Sequence, residues 1–453
     1  MNEAIKSTKQ SARVVVVIVA VLAWFFGGVQ ISITNLALRS AAVGLMGDAG
    51  WMDPDRYQAL TAEARTATLS DSDQAQLEDW NQQAAKWYAW FQCAFLFGAA
   101  AGGFVFGRLG DQWGRTRALA MSVAVFSAFT GLSYFARNPV DLLILRFVAC
   151  LGIGGTWPNG VALVTEAFSR IAGPIMASLI GMAGNVGIFA MSTLAAQVEV
   201  TPEAWRWVMW VGAIPLVLSL LIWILLPESP AWLRMKKEGA ESSKQASGAS
   251  AVFRRPYGRL TLIGIGLATI PLLGGWGSAN WMMPWADEAG AMAETPDPFL
   301  KARVGQARAL TSIAGSFLAG WISLWIGRRR TYFLTSLGAL LVAQYAFRYT
   351  EPMDSDFLVW VACLGFFNGI YFGWLPFFLP ELFPTRIRST GAGVSFNFGR
   401  ILTGLTLLIT GTLLAWFNSD YARIGQVTSF VFALGMICIL FAPDTTRQEG
   451  EAE

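Results

Sequence analysis

The sequence predicts an all-α membrane protein with twelve transmembrane helices in two six-helix bundles, and three observations predict it. First, 54 % of the 453 residues are hydrophobic, only 14 % are charged, and the mean hydropathy is +0.47. Soluble proteins are nearer a quarter charged, and one or two soluble domains could not bury so much apolar surface. Second, twelve segments reach the roughly 20 mostly apolar residues needed to cross about 30 Å of hydrocarbon. Third, the last six segments repeat features of the first six at one constant offset.

In order, the first six spans cover residues 14–38, 87–107, 118–136, 141–165, 171–196 and 205–226. The first follows Lys6, Lys9 and Arg13 but is too long for a signal-peptide core and lacks a small-residue cleavage site, so it is read as a true span. The second is preceded by a long outer loop, 40–86, that is helix-compatible and holds eight acids against three bases. Residues 227–259 form a polar linker. The second six spans cover 260–283, 305–326, 331–349, 357–380, 390–416 and 425–442. With the N-terminus in the cytoplasm, the inner segments gather 20 of the 33 basic residues and the outer ones 11, which orients both termini inward.

Val148 to Gly152 recurs verbatim as Val361 to Gly365, an offset of 213 (361 minus 148). The same offset relates Gly107 to Gly320, Gly114 to Gly327, Arg115 to Arg328 and Arg117 to Arg330. Two parallel copies predict bundles at 1–226 and 260–453 with a substrate site at their interface near the bilayer midplane. The pairs Gly98–Gly102 and Gly103–Gly107 predict close helix packing.

Several chemistries are excluded. The chain has no His, which removes His-based metal sites and triads, and no Gly-Lys pair, which removes a P-loop. Cys93, Cys150, Cys363 and Cys438 all fall in apolar runs and read as small core residues. No cofactor, metal or nucleic-acid partner is expected, and no catalytic residue: the spans hold no carboxylate pair for acid–base work. The expected partners are the lipid bilayer, a small-molecule solute and a coupling proton, with the chain a monomer.

GRLGDQWGRTR, from Gly107 to Arg117, and GWISLWIGRRR, ending at Arg330, resemble the inner-loop motif of the major facilitator superfamily. Gln112 and Thr116 replace two of that motif's basic residues, and Leu324 stands where the second copy would carry its acid. Arg146 with Gly152 and Gly154 resembles the family's fourth-span motif. WRWVMWVGAIPLVLSLLIWILLPESPAWL (Trp205 to Leu233) and LPELFPTRIRSTGAG (Leu379 to Gly393) resemble the sugar-porter and metabolite:proton symporter branches. The resemblance covers essentially the whole chain. It implies a secondary transporter of the plasma membrane working by alternating access. It also implies a gating set of Gly107, Asp111, Gly114, Arg115, Arg146, Glu166, Glu228, Arg328, Glu381, Arg386 and Arg388. In that set a carboxylate facing basic groups and a helix end latches the outward-facing state, with exposed ion pairs contributing about 0 to 1 kcal/mol each.

Proton symport is the branch's default, yet no carboxylate falls in the middle of any span, and the first span offers Gln30 and Asn35 instead. Asp141, Asp287 and Glu288 are the nearest acids at span ends. A facilitator without proton coupling and a non-transporting solute sensor on the same fold remain the alternatives. Two arginines, Arg146 and Arg400, lie within spans with no acid to neutralise them, so an anionic substrate or helix-end carbonyls must serve. Amides beside aromatic faces suit a polar organic solute, sugar or organic acid. The substrate-binding candidates are Gln30, Asn35, Trp157, Asn159, Asn185, Trp276, Asn280, Asn368, Tyr371, Trp374, Asn397 and Arg400.

Overall fold

The computed structural model describes residues 2–64, 69–168, 172–239, 249–277, 281–292, 297, 300–408, 416–417 and 420–445. Asn280 lies outside them, as do Ser169, Arg170, Lys244 and Arg447; the side chains of Lys6, Lys9, Trp276 and Asp287 are likewise outside the description.

The chain is helical from α1 (Asn2–Asp48) onward. From Arg13 alone, α1 runs 36 residues, about 54 Å at 1.5 Å per residue, so it outruns a 30 Å hydrocarbon layer. The segment expected as an outer loop continues as helix. It holds α2 (Pro54–Glu63), whose start Asp53 caps by accepting from Arg56 N at 3.1 Å, and the first part of α3 (Asp71–Trp113), capped by Ser70. Val43, Met46, Met52, Leu60, Trp80 and Ala84 give this cap a small core of its own.

Next come α4 (Arg115–Leu132), α5 (Pro139–Ala167) and α6 (Ala172–Gln197). The sixth expected span is two pieces, α7 (Trp207–Ala213) and α8 (Leu216–Leu225), because Pro215 has no N–H to continue the ladder. α9 (Pro230–Gly239) follows in the linker. α10 (Tyr257–Gly277) stops short of the expected 283, and α11 (Met282–Met292) is a separate helix. α12 (Leu300–Ile326), α13 (Arg328–Tyr349), α14 (Phe357–Glu381) and α15 (Arg388–Leu408) complete the second set with Tyr421–Thr428 and Val431–Leu440. Gln344 of α13 spans the break between those last two, donating to Gln426 O at 2.7 Å and Ser429 Oγ at 2.6 Å.

Among the described residues ten helices are long and apolar enough to cross a membrane. α13 and α15 are the expected spans left out. α13 begins with Arg328, Arg329 and Arg330, and its Thr331, Thr335 and Ser336 hydroxyls bond back to carbonyls one turn earlier. That self-satisfaction lets a polar sequence remain a buried helix.

α1 and α3 to α8 pack among themselves, as do α10 and α12 to α15, and the two sets meet where α3 crosses α15 and where α6 crosses α12 and α14. The repeat is visible in the backbone. Gly114 (φ +116°) and Gly327 (φ +91°), 213 apart, turn α3 into α4 and α12 into α13 in a conformation that L side chains avoid. Gly107 and Gly320, also 213 apart, each let a helix of one set touch backbone of the other, at Ser389–Thr390 of α15 and Pro174–Ile175 of α6. The two glycine pairs on α3 serve different contacts. Gly98 and Gly102 face Phe147 and Leu151 of α5, whereas Gly103 and Gly107 face Gly393, Asn397 and Ser389 of α15.

Candidate functional site

The seam between the two sets is shut at its arginine-rich end. Asp111, near the end of α3, reaches across to the first turn of α15, where backbone N–H groups lack intrahelical acceptors. Its carboxylate accepts from Ser389 N at 3.1 Å, Thr390 N at 2.9 Å and the Thr390 hydroxyl. It also pairs with Arg115 Nη1 at 2.7 Å. A carboxylate at a helix N-terminus adds charge–dipole attraction to the hydrogen bonds.

Arg115 is fully buried and holds both sides together. It donates to Gly110 O, to Glu166 at 3.3 Å, and across the seam to Thr385 O. Glu166 is itself fully buried and takes Arg388 Nη1 at 2.9 Å, a second bond across the seam. Glu228 caps the first turn of α4, accepting from Arg115 N at 2.8 Å and Thr116 N at 3.1 Å, and fills the space beside Gly114. Burial corrects the expectation of exposed pairs contributing 0 to 1 kcal/mol: a charge stranded by removing a buried partner costs about 3–5 kcal/mol.

The second copy is asymmetric. Arg328 pairs with Glu381 at 3.3 Å within its own set, and Thr445 bonds the other Glu381 oxygen at 2.6 Å. Half-buried Leu324, the counterpart of Asp111, offers α6 no acid. Arg386 lies over the Tyr257 ring and donates to its hydroxyl at 2.9 Å. Arg146, expected among the gating residues, is elsewhere. It is fully buried within the first set, donating to Gln30 Oε1 and Thr130 Oγ1 at 3.2 Å and to Thr34 Oγ1 at 2.8 Å.

In that network the Gln30 amide, expected among the substrate ligands, is fully buried and bonded to Arg146, Thr130 and Gly212 O. Trp157, Asn159 and Asn397 are packed into the shut seam: Trp157 stacks on Phe396 with centroids 4.1 Å apart, and Asn397 donates to Gly154 O at 3.3 Å. Asn159 bonds Phe106 O at 3.0 Å. Tyr371 and Trp374 donate to Ser336 Oγ and Arg328 O inside the second set. Hydrocarbon offers no hydrogen bonds, so most of these buried polar groups bond to neighbouring helices, while Asn159 Oδ1 and Asn397 Oδ1 are left without a partner among the described residues.

The other four described candidates are Asn185, Asn35, Asn368 and Arg400. Asn185, half-buried on α6, meets Ser316 of α12 across the seam at 3.3 Å. Exposed Asn35 accepts from Gln92 at 3.1 Å. Asn368 is 5 % exposed with neither amide atom bonded. Arg400 is 3 % exposed, and among the described residues its Nε and Nη1 have no hydrogen-bond acceptor. Its guanidinium lies between Phe95 of α3 (5.2 Å) and Phe396 (5.4 Å), at the seam.

Sequence reasoning missed two groups. Gln92 sits two turns inside the predicted second span, buried, with Oε1 unbonded. Arg308, counted with the outer basic residues, is half-buried in α12. Both lay within drawn spans, which was signal enough.

Residues 42–253 match the family described as Sugar (and other) transporter. A putative metabolite transport protein of Haemophilus influenzae is 25 % identical over 354 residues, 76 % of this chain and 84 % of its own. The cis,cis-muconate transport protein of Acinetobacter baylyi is 27 % identical over 310 residues, 68 % and 73 % of the two chains. The fold matches the proton:xylose symporter XylE at a TM-score of 0.65 with 17 % identity, covering 94 % of each chain.

The chain resembles the major facilitator superfamily and has its fold. The relatives that it resembles are named for metabolite transport and for cis,cis-muconate transport. The bonds that cross the seam run from Asp111, Arg115 and Glu166 to α15 and the turn before it, from Asn397 of α15 to Gly154 of α5, and from Asn185 of α6 to Ser316 of α12. They are the ones that a parting of the two bundles breaks. Glu228 on α4 and Glu381 on Arg328 stay within one set and can persist throughout.

Proposed function

We propose that the chain carries small organic carboxylates across the plasma membrane by alternating access, with Arg400 as the countercharge for the carboxylate. The observation that supports this is a guanidinium buried at the meeting of the two bundles, with two phenyl faces beside it and no acid. A cation there costs several kcal/mol unless a partner compensates it. Phenyl faces also suit the flat conjugated acid for which the Acinetobacter relative is named. Residues 1–226 and 260–453 act as the rocking bodies, 227–259 as the linker, with the arginine-rich end and both termini in the cytoplasm and the chain a monomer. Asp111, Arg115, Glu166 and Arg388 latch the cytoplasmic side.

Proton coupling, the default of the resembling branches, lacks a carrier here. The sequence has no Asp or Glu at mid-span, and the first-span position beside Arg146 is the neutral amide Gln30. Movement without a coupled proton is the reading that the residues favour.

Uptake of labelled cis,cis-muconate, benzoate and xylose into proteoliposomes tests the substrate class. The acids enter, xylose does not, and Arg400→Gln lowers acid uptake about 30-fold or more, the loss expected on removing one partner of a buried charge pair. Arg400→Lys retains part of it. Xylose uptake that is indifferent to Arg400 refutes the carboxylate reading.

A further inference from the structure

Resting on the carboxylate reading of Arg400, we propose that the chain is an obligate exchanger. It reorients with an organic anion on Arg400, trades one carboxylate for another, and does not return unloaded at a comparable rate.

The inference comes from comparing two buried arginines. Arg146 keeps three oxygen acceptors, Gln30 Oε1, Thr130 Oγ1 and Thr34 Oγ1, all within the first bundle. A rigid rocking of that bundle leaves those bonds in place, so the cost of burying Arg146 is constant through the cycle. Arg400 is placed differently. It projects from α15 towards Phe95 of α3, across the contact that must separate and re-form. Aromatic faces attract a cation, but they accept no conventional hydrogen bond from Nε or Nη1.

Alternating access takes the central site through a state closed on both sides. There Arg400 loses the water that would solvate it in an open cavity, and its acceptors must come from protein or cargo. Cys150 of α5 is electrostatically close, yet a thiol carries no charge. Asp111 and Glu166 are committed to the latch on Ser389, Thr390, Arg115 and Arg388. No span supplies another acid to swing in. A carboxylate on the cargo removes the deficit, so the loaded site crosses the closed state as a neutral pair and the unloaded site crosses it as an unpaired cation. The barrier difference is what separates exchange from net flow.

The test uses proteoliposomes holding the full chain, loaded with labelled cis,cis-muconate or benzoate and diluted into buffer with or without the same unlabelled acid. Valinomycin and potassium set the membrane potential. The expected result is self-exchange about 100-fold or more faster than net efflux, from a loss of roughly two decades in the unloaded return. Self-exchange is also expected to be indifferent to potential and to leave internal pH unchanged. In Arg400→Gln exchange slows but net efflux does not, so their ratio falls toward one; a merely structural role for Arg400 slows both and preserves the ratio. Net efflux as fast as exchange in the wild type overturns the exchange proposal and leaves the carboxylate reading standing. No movement of either acid in either mode overturns both.

Discussion

Replacing Asp111 by Asn isolates the latch, because the amide keeps the size of the carboxylate and loses its charge. Four donors converge on Asp111: Ser389 N, Thr390 N, the Thr390 hydroxyl and Arg115 Nη1. Hydrogen bonds to a charged group contribute about 1.5–3 kcal/mol against about 0.5–1.5 for neutral ones. A charge at a helix N-terminus adds up to about 2 kcal/mol in a partly buried setting. The Asn NH2 also turns a donor toward donors. Allowing for the acceptor that Asn retains, the closed arginine-rich gate loses about 3 kcal/mol, a shift of about 150-fold in the closed-to-open ratio. The assay is thiol labelling at Ser389, fully buried in the shut seam, as Ser389→Cys in a background with Cys93, Cys150, Cys363 and Cys438 replaced by Ser. With an impermeant maleimide on the arginine-rich side, Asp111→Asn is expected to raise the labelling rate by about two orders of magnitude, until labelling of the open form limits it. A rate within threefold of the parent refutes the latch.

Glu166→Gln removes the charge of one of Arg115's two carboxylate partners, leaving Asp111 at 2.7 Å, and frees Arg388, so thermal stability in detergent falls by the equivalent of about 1.5–3 kcal/mol. A double-mutant cycle with Arg388→Gln should show strong coupling, and additivity would deny the contact. Gly114→Ala forces an L side chain to φ +116° and into the Glu228 carboxylate, so it is expected to cost more than the 1–2 kcal/mol of the conformation alone. Glu228→Ala in the same chain should relieve part of that loss, as read by melting temperature. Gln30→Ala removes one of the three acceptors of Arg146 and the side-chain donor to Gly212 O; a loss of about 2–4 kcal/mol is expected, and an unchanged melting temperature would mean that the network is not formed.

The spans, the repeat and the clustering of acids and arginines at one end of the helices were legible in the sequence because each has a local signature. Twenty apolar residues in a row leave few alternatives to a membrane helix. A positive-φ glycine recurring at one offset marks the same turn twice, and an acid beside arginines at a helix end is an electrostatic statement in any order of packing. Helix ends were less legible. The outer helix extensions, the break at Pro215 and the separation of α11 from α10 depend on where hydrocarbon stops and which neighbours supply hydrogen bonds.

Binding residues were the least legible, for a physical reason. In sequence, Gln30, Asn159, Tyr371 and Arg400 are alike: polar groups at similar depth with aromatic neighbours. Which of them faces cargo depends on which are already satisfied by another helix, and partners such as Gln30 and Gly212 or Asn397 and Gly154 are far apart in the chain. The sequence by itself determined a twelve-span, twofold-repeated membrane chain with more of its basic residues, 20 of 33, in the segments of one side. The tertiary structure alone decided that Asp111 bonds across the seam while its repeat counterpart Leu324 does not, and that Arg146 has three oxygen acceptors while Arg400 Nε and Nη1 have none among the described residues, because hydrogen-bond satisfaction in a water-poor interior is a property of packed neighbours.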